Sequence, residues 1–441
     1  MRLAVVGGGG FRVPLVHRAL LGQRPGAPEV DEVVLHDPDS ARLRTVAAVL
    51  EGLGEGRRGG PRVRLAADLD DALTGADAVF SAMRVGGTAG RVHDERVALG
   101  LGVLGQETVG AGGLAYALRT VPVALDLAER VARLAPDAWV VNFTNPAGIV
   151  TQAMSQVLGD RVIGICDSPS ALARRAARAA GADSAAAAEA VAGYAGLNHL
   201  GWLRSLEVGG TDVLPGLLAD TAALESFEEG RLFGAPWLRS LGALPNEYLW
   251  YYYAAEQAHA SVRSAAATRG EVVAAQQESF YSRAAGAPPA RALELWLETL
   301  QAREETYFAE GRDAGEARDP AEVEGEGYEG VALALLGALS GRGQRRLVLD
   351  VRNGSTLGFL PPDAVVEVSC TVDEHGARPL PAPPLGLHEQ ALVSAVKASE
   401  YAVVEAATTG SREAAVRAFA FHPLVGSVAR AEALADAYLG A

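Results

Sequence analysis

Three reactive side chains fall close together in the middle of this chain. Gly164-Ile165-Cys166-Asp167-Ser168-Pro169 supplies a thiol and a carboxylate, and Gly196-Leu197-Asn198-His199-Leu200 supplies an imidazole. A thiolate is either a nucleophile or a metal ligand, and His199 is the natural partner for Cys166 in ligation. Two protein ligands leave positions open for substrate oxygens and water, the arrangement of a catalytic metal rather than a structural one. Further on, Leu244-Pro245-Asn246-Glu247-Tyr248-Leu249-Trp250-Tyr251-Tyr252-Tyr253 is dense in aromatics. Most of these read as core, but a tyrosine at a helix start, such as Tyr248, can serve as a base where a cation lowers its pKa.

The elements that must position these groups begin at the N-terminus. The β-branched run Arg2–Val6 enters Gly7-Gly8-Gly9-Gly10, a helical pattern continues to about Leu21, and a second strand, Glu32–His36, ends at Asp37. Strand, glycine turn, helix, strand and acid form a dinucleotide-binding unit. Glycine lets the backbone approach a pyrophosphate, whose charge then faces a helix N-terminus. Gly7, Gly9 and Gly10, with Phe11 and Arg12 beside them, are the expected phosphate contacts. Arg12 stands where the fingerprint has a further glycine. Asp37 is placed to bind ribose hydroxyls, which favours NAD over NADP. A metal beside a nicotinamide is therefore the expected constellation.

Further strands are expected at Ala78–Ala82, Trp139–Asn142 and Arg161–Ile165, with a long helix from about Tyr116 to Leu134. This alternation predicts a Rossmann-type, doubly wound parallel sheet. Asn142-Phe143-Thr144-Asn145-Pro146 lies at a strand's C-terminal end, where open α/β sheets bind ligands. Beyond, residues 171–192 read as an alanine-rich helix broken at Gly181, 214–260 as mostly helical and 287–310 as one amphipathic helix. Arg346–Val351 and Ala364–Val372 read as strands, and the chain from His388 onward as helical. The expected division is a NAD-binding domain over 1–165 and a mixed α+β domain over 166–441 that carries the metal ligands and the tyrosine.

Bulk properties narrow the class. The chain has 441 residues, 49% of them hydrophobic, enough for a large core. Its 39 basic and 54 acidic residues give a net charge of −15, which argues against nucleic acid as a partner. No apolar run approaches the ~20 residues that span a bilayer, so no membrane partner is expected. Two cysteines, Cys166 and Cys370, do not make a disulfide framework, and the expected home is a reducing cytoplasm. Cys370 sits in an alternating strand pattern and reads as core.

Together these motifs resemble glycoside hydrolase family 4, the NAD- and divalent-metal-dependent glycosidases, and the nearest branch looks like the 6-phospho-β-glucosidases. The similarity runs over nearly the whole chain. It includes Asp94-Glu95 after Arg91, Gly105-Gln106-Glu107-Thr108-Val109-Gly110 followed by Gly112-Gly113, Ala117–Pro122, Asn142–Gly148, the cysteine and histidine motifs, Arg352-Asn353 and His422–Val425. The resemblance implies Mn²⁺, or another divalent ion, on Cys166 and His199. It implies Tyr248 as the base, with Tyr251 and its neighbours as alternatives, and Arg91, Glu107 and Asn145 lining the sugar site. It also implies a route through oxidation at sugar C3 by NAD, removal of the C2 proton, loss of the C1 leaving group, addition of water and reduction. A homodimer or homotetramer is the implied assembly.

Three positions depart from the β pattern. Asp167 resembles the phospho-α-glucosidase branch, and an acid here can protonate a leaving group. Trp250 stands where an arginine usually follows Tyr-Leu. The usual Gly-Gly-Ala-Tyr-Tyr-Ser segment is altered around Gly325–Gly330. A 6-phospho-α-glucosidase, or a glycosidase for an unphosphorylated sugar, is thus the alternative within the family. Outside it, the alternative is a 2-hydroxy-acid dehydrogenase of the lactate/malate type, which shares the nucleotide half and an Asn-Pro turn but leaves the cysteine motif unexplained.

Overall fold

The computed structural model describes residues 1–22, 26–57, 59–307 and 327–440. Six strands form a parallel sheet: β1 (Arg2–Val6), β2 (Glu32–His36), β3 (Arg62–Leu65), β4 (Ala78–Ser81), β5 (Trp139–Asn142) and β6 (Val162–Gly164). Their order is β3-β2-β1-β4-β5-β6, so the order reverses between β1 and β4. That reversal opens a crevice at the C-terminal strand ends. The strands bury Leu3, Val5, Val33, Leu35, Phe80 and Val141 against helices.

The second half extends this sheet instead of building another. Strand β11 (Arg345–Arg352) pairs antiparallel with β6, and β12 (Val365–Asp373) pairs with β11. The hairpin β7 (Val191–Leu197) and β8 (Leu200–Val208) continues from β12 to β10 (Leu244–Pro245). Short strands β9 (Thr211–Asp212) and β13 (Gly376–Pro379) pair with β8 and β12. The sheet is therefore continuous across residue 165. Cys370 lies in β12 and is fully buried, as a core residue should be.

Sequence and structure differ in places. The helical reading of 171–192 with its break at Gly181 holds as Ser168–Ala179 and Ser184–Ala188, but its end does not, because β7 already begins at Val191. The Ala/Gly composition of β7 carries little strand propensity; pairing with β8 and β12 supplies it instead. The long helix starts earlier than expected, at Gly110. The glycines of its first turn allow a close contact: a Cβ on Gly112 would sit 2.1 Å from the Gln106 carbonyl oxygen, and one on Gly113 2.4 Å from that of Thr108. The amphipathic helix spans Pro289–Glu305, and the 308–310 end of its expected range lies outside the described residues, as does the Gly325 end of the altered segment. Among the described residues no helix is long and apolar enough to cross a membrane.

Candidate active site

A cleft of about 440 Å³ opens over the C-terminal strand ends. Among the described residues nine arginines and five carboxylates line it, so a strongly acidic protein has a cationic cleft. Such a surface attracts anions.

At one end lies the glycine turn. The Gly7 and Gly8 N–H groups donate to the His36 carbonyl at 3.0 and 2.8 Å. Gly7 has φ 87°, and a Cβ there would meet the Ala82 carbonyl oxygen at 2.4 Å, so only glycine fits. The Asp37 carboxylate accepts from Gly9 N–H at 3.0 Å and Asp39 N–H at 2.9 Å. Each oxygen keeps a lone pair for a ribose hydroxyl. Gly10, Phe11 and Arg12 border the cleft. The Phe11 ring, however, packs edge-on against Phe280 at 5.3 Å and near Trp296, so its side chain serves the core. Tyr281 and Trp296 donate to the Gly9 and Phe11 carbonyls at 2.6 and 2.9 Å and hold the turn from above.

At the other end the strands deliver the reactive groups. Cys166 follows β6, while His199 occupies the two-residue turn between β7 and β8. His199 adopts φ 61°, an uncommon conformation for a side-chain-bearing residue and one that marks functional turns. Its Nε2 lies 3.6 Å from Cys166 Sγ. Its Nδ1 shares a 2.9 Å hydrogen bond with Thr108 Oγ1, which fixes the ring. Burial holds the imidazole pKa down at about 3, so it is neutral and can ligate. Burial pushes the Cys166 thiol well up, aided by Glu367 and Asp167; a bound cation reverses that balance. No group of three or more His, Cys, Asp or Glu side chains able to hold a metal exists among the described residues. The thiol and imidazole thus fit a divalent ion whose remaining positions face the cleft.

The Tyr248 ring stacks on His199, centroids 3.7 Å apart and planes 13° apart. Its hydroxyl lies 3.5 Å from that of Tyr307, which donates to Glu247 Oε1 at 2.7 Å. Burial, with help from Glu228, raises Glu247 to about 7. Tyr251 stands a shell back, its centroid 6.3 Å from that of Tyr248, and geometry therefore favours Tyr248 as the base. Trp250 is buried among Leu104, Val109 and Ala258.

The expected sugar contacts also meet here. Arg91 donates to Glu107 Oε2 at 2.6 Å, and Arg84 pairs with the other carboxylate oxygen. Burial opposes ionisation of Glu107, but Arg84 and Arg91 outweigh it and hold the group at about 2. Asn145 and Asp167 complete the lining. Asn142 braces the turn before Asn145, its Nδ2 donating to the carbonyls of Thr144 and Ala147 at 3.2 and 3.3 Å. The sequence had not singled out Thr108, Arg84, Glu247, Tyr307 or Arg303. Thr108 and Glu247 lay inside quoted motifs, whereas nothing in the local pattern marks Tyr307.

Buried groups of opposite kind set the pH response. Burial holds His17, His199 and His422 at about 4, 3 and 4. From those values up to about 6.5 the unfolded chain binds protons that the fold refuses, so stability rises with pH. Burial raises Glu247 to about 7 and Glu367 to about 8. From about 4.5 to those values the fold retains protons that the unfolded chain releases, so stability falls with pH. Above about 6.5 only the carboxyl slope remains of the two. The cofactor-free protein should lose on the order of 2 kcal/mol between pH 6.5 and 8, measured as a fall in the urea midpoint. An equal or higher midpoint at pH 8 would contradict burial of these carboxyls in uncharged form.

A nucleotide-binding sheet whose strand ends carry a thiol–imidazole pair and a buried tyrosine defines an enzyme that combines dinucleotide, metal and acid–base chemistry. Comparison with known proteins agrees: residues 2–182 match the family 4 glycosyl hydrolase model, and residues 194–425 match that family's C-terminal domain. The chain belongs to family 4 of the glycosyl hydrolases. It is 31% identical to the 6-phospho-beta-glucosidase of Escherichia coli (strain K12) over 83% of this chain and 78% of that protein. It is 27% identical to the 6-phospho-alpha-glucosidase of Leptotrichia buccalis over 98% and 96%. The 6-phospho-beta glucosidase of Thermotoga maritima, solved with NAD and glucose-6-phosphate, superposes with a TM-score of 0.82 at 27% identity, covering 100% of this chain and 97% of that one. The likeness to a malate dehydrogenase, TM-score 0.51 at 12% identity, is one of fold alone.

Proposed function

We propose that this protein hydrolyses 6-phospho-β-glucosides with NAD and a divalent metal, Mn²⁺ being the ion of the relatives. The observation that carries the reading is the Cys166–His199 pair with Tyr248 stacked on it at the nucleotide-binding edge. Gly7, Gly9, Gly10, Arg12 and Asp37 would hold NAD, while Cys166 and His199 would hold the metal. Once bound, NAD would supply hydride abstraction at sugar C3 and the metal Lewis-acid electron withdrawal, which together would make the C2 proton acidic. Tyr248 takes that proton. Its own proton has a path through Tyr307 to Glu247, whose pKa of about 7 suits an acceptor near neutral pH. Asp167 lines the same cleft and would assist departure of the C1 oxygen. Arg91, Glu107 and Asn145 orient the sugar hydroxyls.

The relay has a test. Glu247→Gln should lower kcat roughly 10–100-fold and flatten the pH profile of kcat near 7; an unchanged profile would remove Glu247 from the path. The function itself is tested with nitrophenyl α- and β-glucosides, each with and without a 6-phosphate, assayed with NAD⁺, Mn²⁺ and a thiol reductant and again with each cofactor omitted. Cleavage of the phosphorylated β compound alone, dependent on both cofactors, is expected. Cleavage of an α compound would identify Asp167 as the residue that redirected specificity, a reading favoured by the α-specific relatives.

Two buried, unpaired cysteines suit a reducing cytoplasm. For a homodimer or homotetramer, Leu387, Phe421 and Val428 are exposed apolar positions on the C-terminal helices that an interface would cover.

A further inference from the structure

His199 stands where a histidine seldom does. It is the second residue of the two-residue turn between β7 and β8, and among the described non-glycine residues it alone has a positive φ, 61°. A positive φ at the second turn residue alone is the pattern of a type II turn, where glycine or asparagine is usual. Such a conformation persists only where its surroundings enforce it. Two restraints come from the cleft wall, the Thr108 hydrogen bond to Nδ1 and the Tyr248 ring. A third comes from behind. Asn198, the first turn residue, donates from Nδ2 to Glu367 Oε1 at 3.1 Å. Glu367 lies in the valine-rich strand β12, is 1% exposed and does not line the cleft. A carboxyl group in such a place is costly unless a partner uses it.

The register explains how the acid reaches the turn. Glu367 pairs with Gly196 of β7, and paired residues share a face of the sheet. Asn198, two residues on, falls on that same face. Gly196 carries no side chain, so the Glu367 side chain can pass over it to Asn198, the diagonal reach open to a long side chain. A larger residue at 196 is excluded, since a Cβ there would sit 2.2 Å from the Leu200 carbonyl oxygen. We propose that Glu367, acting through Asn198, is a positioning residue for His199: it fixes the turn that aims Nε2 at Cys166. Thr108 sets the rotation of the ring, and Glu367 sets the backbone that carries it. The inference deepens the function proposed above and rests on its reading that Cys166 and His199 hold the ion.

The test is Mn²⁺ binding without NAD⁺ or sugar, free Mn²⁺ being measured by its electron paramagnetic resonance signal. The proteins are wild type, Glu367→Met, Glu367→Gln, Asn198→Ala, the double variant Glu367→Met with Asn198→Ala, and His199→Ala. Thermal melts of the metal-free proteins select variants that fold. Glu367→Met and Asn198→Ala should each weaken Mn²⁺ binding about 10–100-fold, the range for losing a contact behind a metal ligand. Glu367→Gln keeps the acceptor oxygen and should recover most of that loss. The double variant should bind no more weakly than the weaker single one, because both changes break one link. Additive losses in the double variant would overturn the inference. So would a Glu367→Met protein that melts lower yet binds Mn²⁺ as wild type does, the result of a merely structural role. Where Glu367→Met does not fold, wild-type affinity in Asn198→Ala would overturn it alone. Failure of the underlying reading differs: His199→Ala would then bind Mn²⁺ as tightly as wild type.

Discussion

Tyr248→Phe should turn over roughly 10³-fold more slowly than wild type while binding NAD⁺ and Mn²⁺ with affinities within about twofold. The substitution removes one hydroxyl and keeps the ring that stacks on His199 at 3.7 Å, so the imidazole stays in place. What disappears is the acceptor for the C2 proton. Burial pushes the phenol pKa well up, with Glu247 and Cys166 adding to it. Tyr248 is therefore a poor base alone and a competent one only beside a cation. Steady-state kinetics together with NAD⁺ titration check this. Turnover within tenfold of wild type would exclude Tyr248 as base and return attention to Tyr251, which also lines the cleft.

The second large effect is expected at the thiol. Cys166→Ser keeps the shape of the strand end but replaces a thiolate ligand with a hydroxyl that stays protonated. The Mn²⁺ concentration for half-maximal activity should rise at least ~100-fold, beyond the 10–100-fold typical of losing a supporting contact. NAD⁺ affinity should hold, because the glycine turn and Asp37 lie at the other end of the cleft. Thr108→Val, which removes the 2.9 Å hydrogen bond to His199 Nδ1, should show the smaller shift of a supporting contact. An unchanged Mn²⁺ requirement in Cys166→Ser would mean that the thiol is not a ligand.

The site was legible in the sequence where reactive residues stand at strand ends. Cys166, His199, Tyr248 and Asn145 each end or follow a strand or turn with clear punctuation, and the fold brings them to one cleft. The glycine turn and the parallel half were legible for the same reason, since β-branched runs alternate with helical periods. The continuous sheet was not, because β7 is built from alanine, glycine and one tyrosine and is held by its neighbours. Phe11 shows a different limit: position beside the glycine turn says nothing of where the ring points, and it points to Phe280 and Trp296. Arg303 and Tyr307 emerge only from tertiary packing, on the end of the helix Pro289–Glu305 and just beyond it, where the second half of the chain meets the cleft.

The proposed route breaks the glycosidic bond by elimination after loss of the C2 proton, and not by direct displacement by water. The most direct measurement is hydrolysis of nitrophenyl 6-phospho-β-glucoside in D₂O with NAD⁺ and Mn²⁺, stopped early, with the released glucose 6-phosphate examined by mass spectrometry and proton NMR. Deuterium is expected at C2 of the sugar, because the proton taken by Tyr248 can exchange through Tyr307 and Glu247 before it is replaced. Product carrying only protium at C2, together with no primary isotope effect from substrate deuterated at C2, would contradict it.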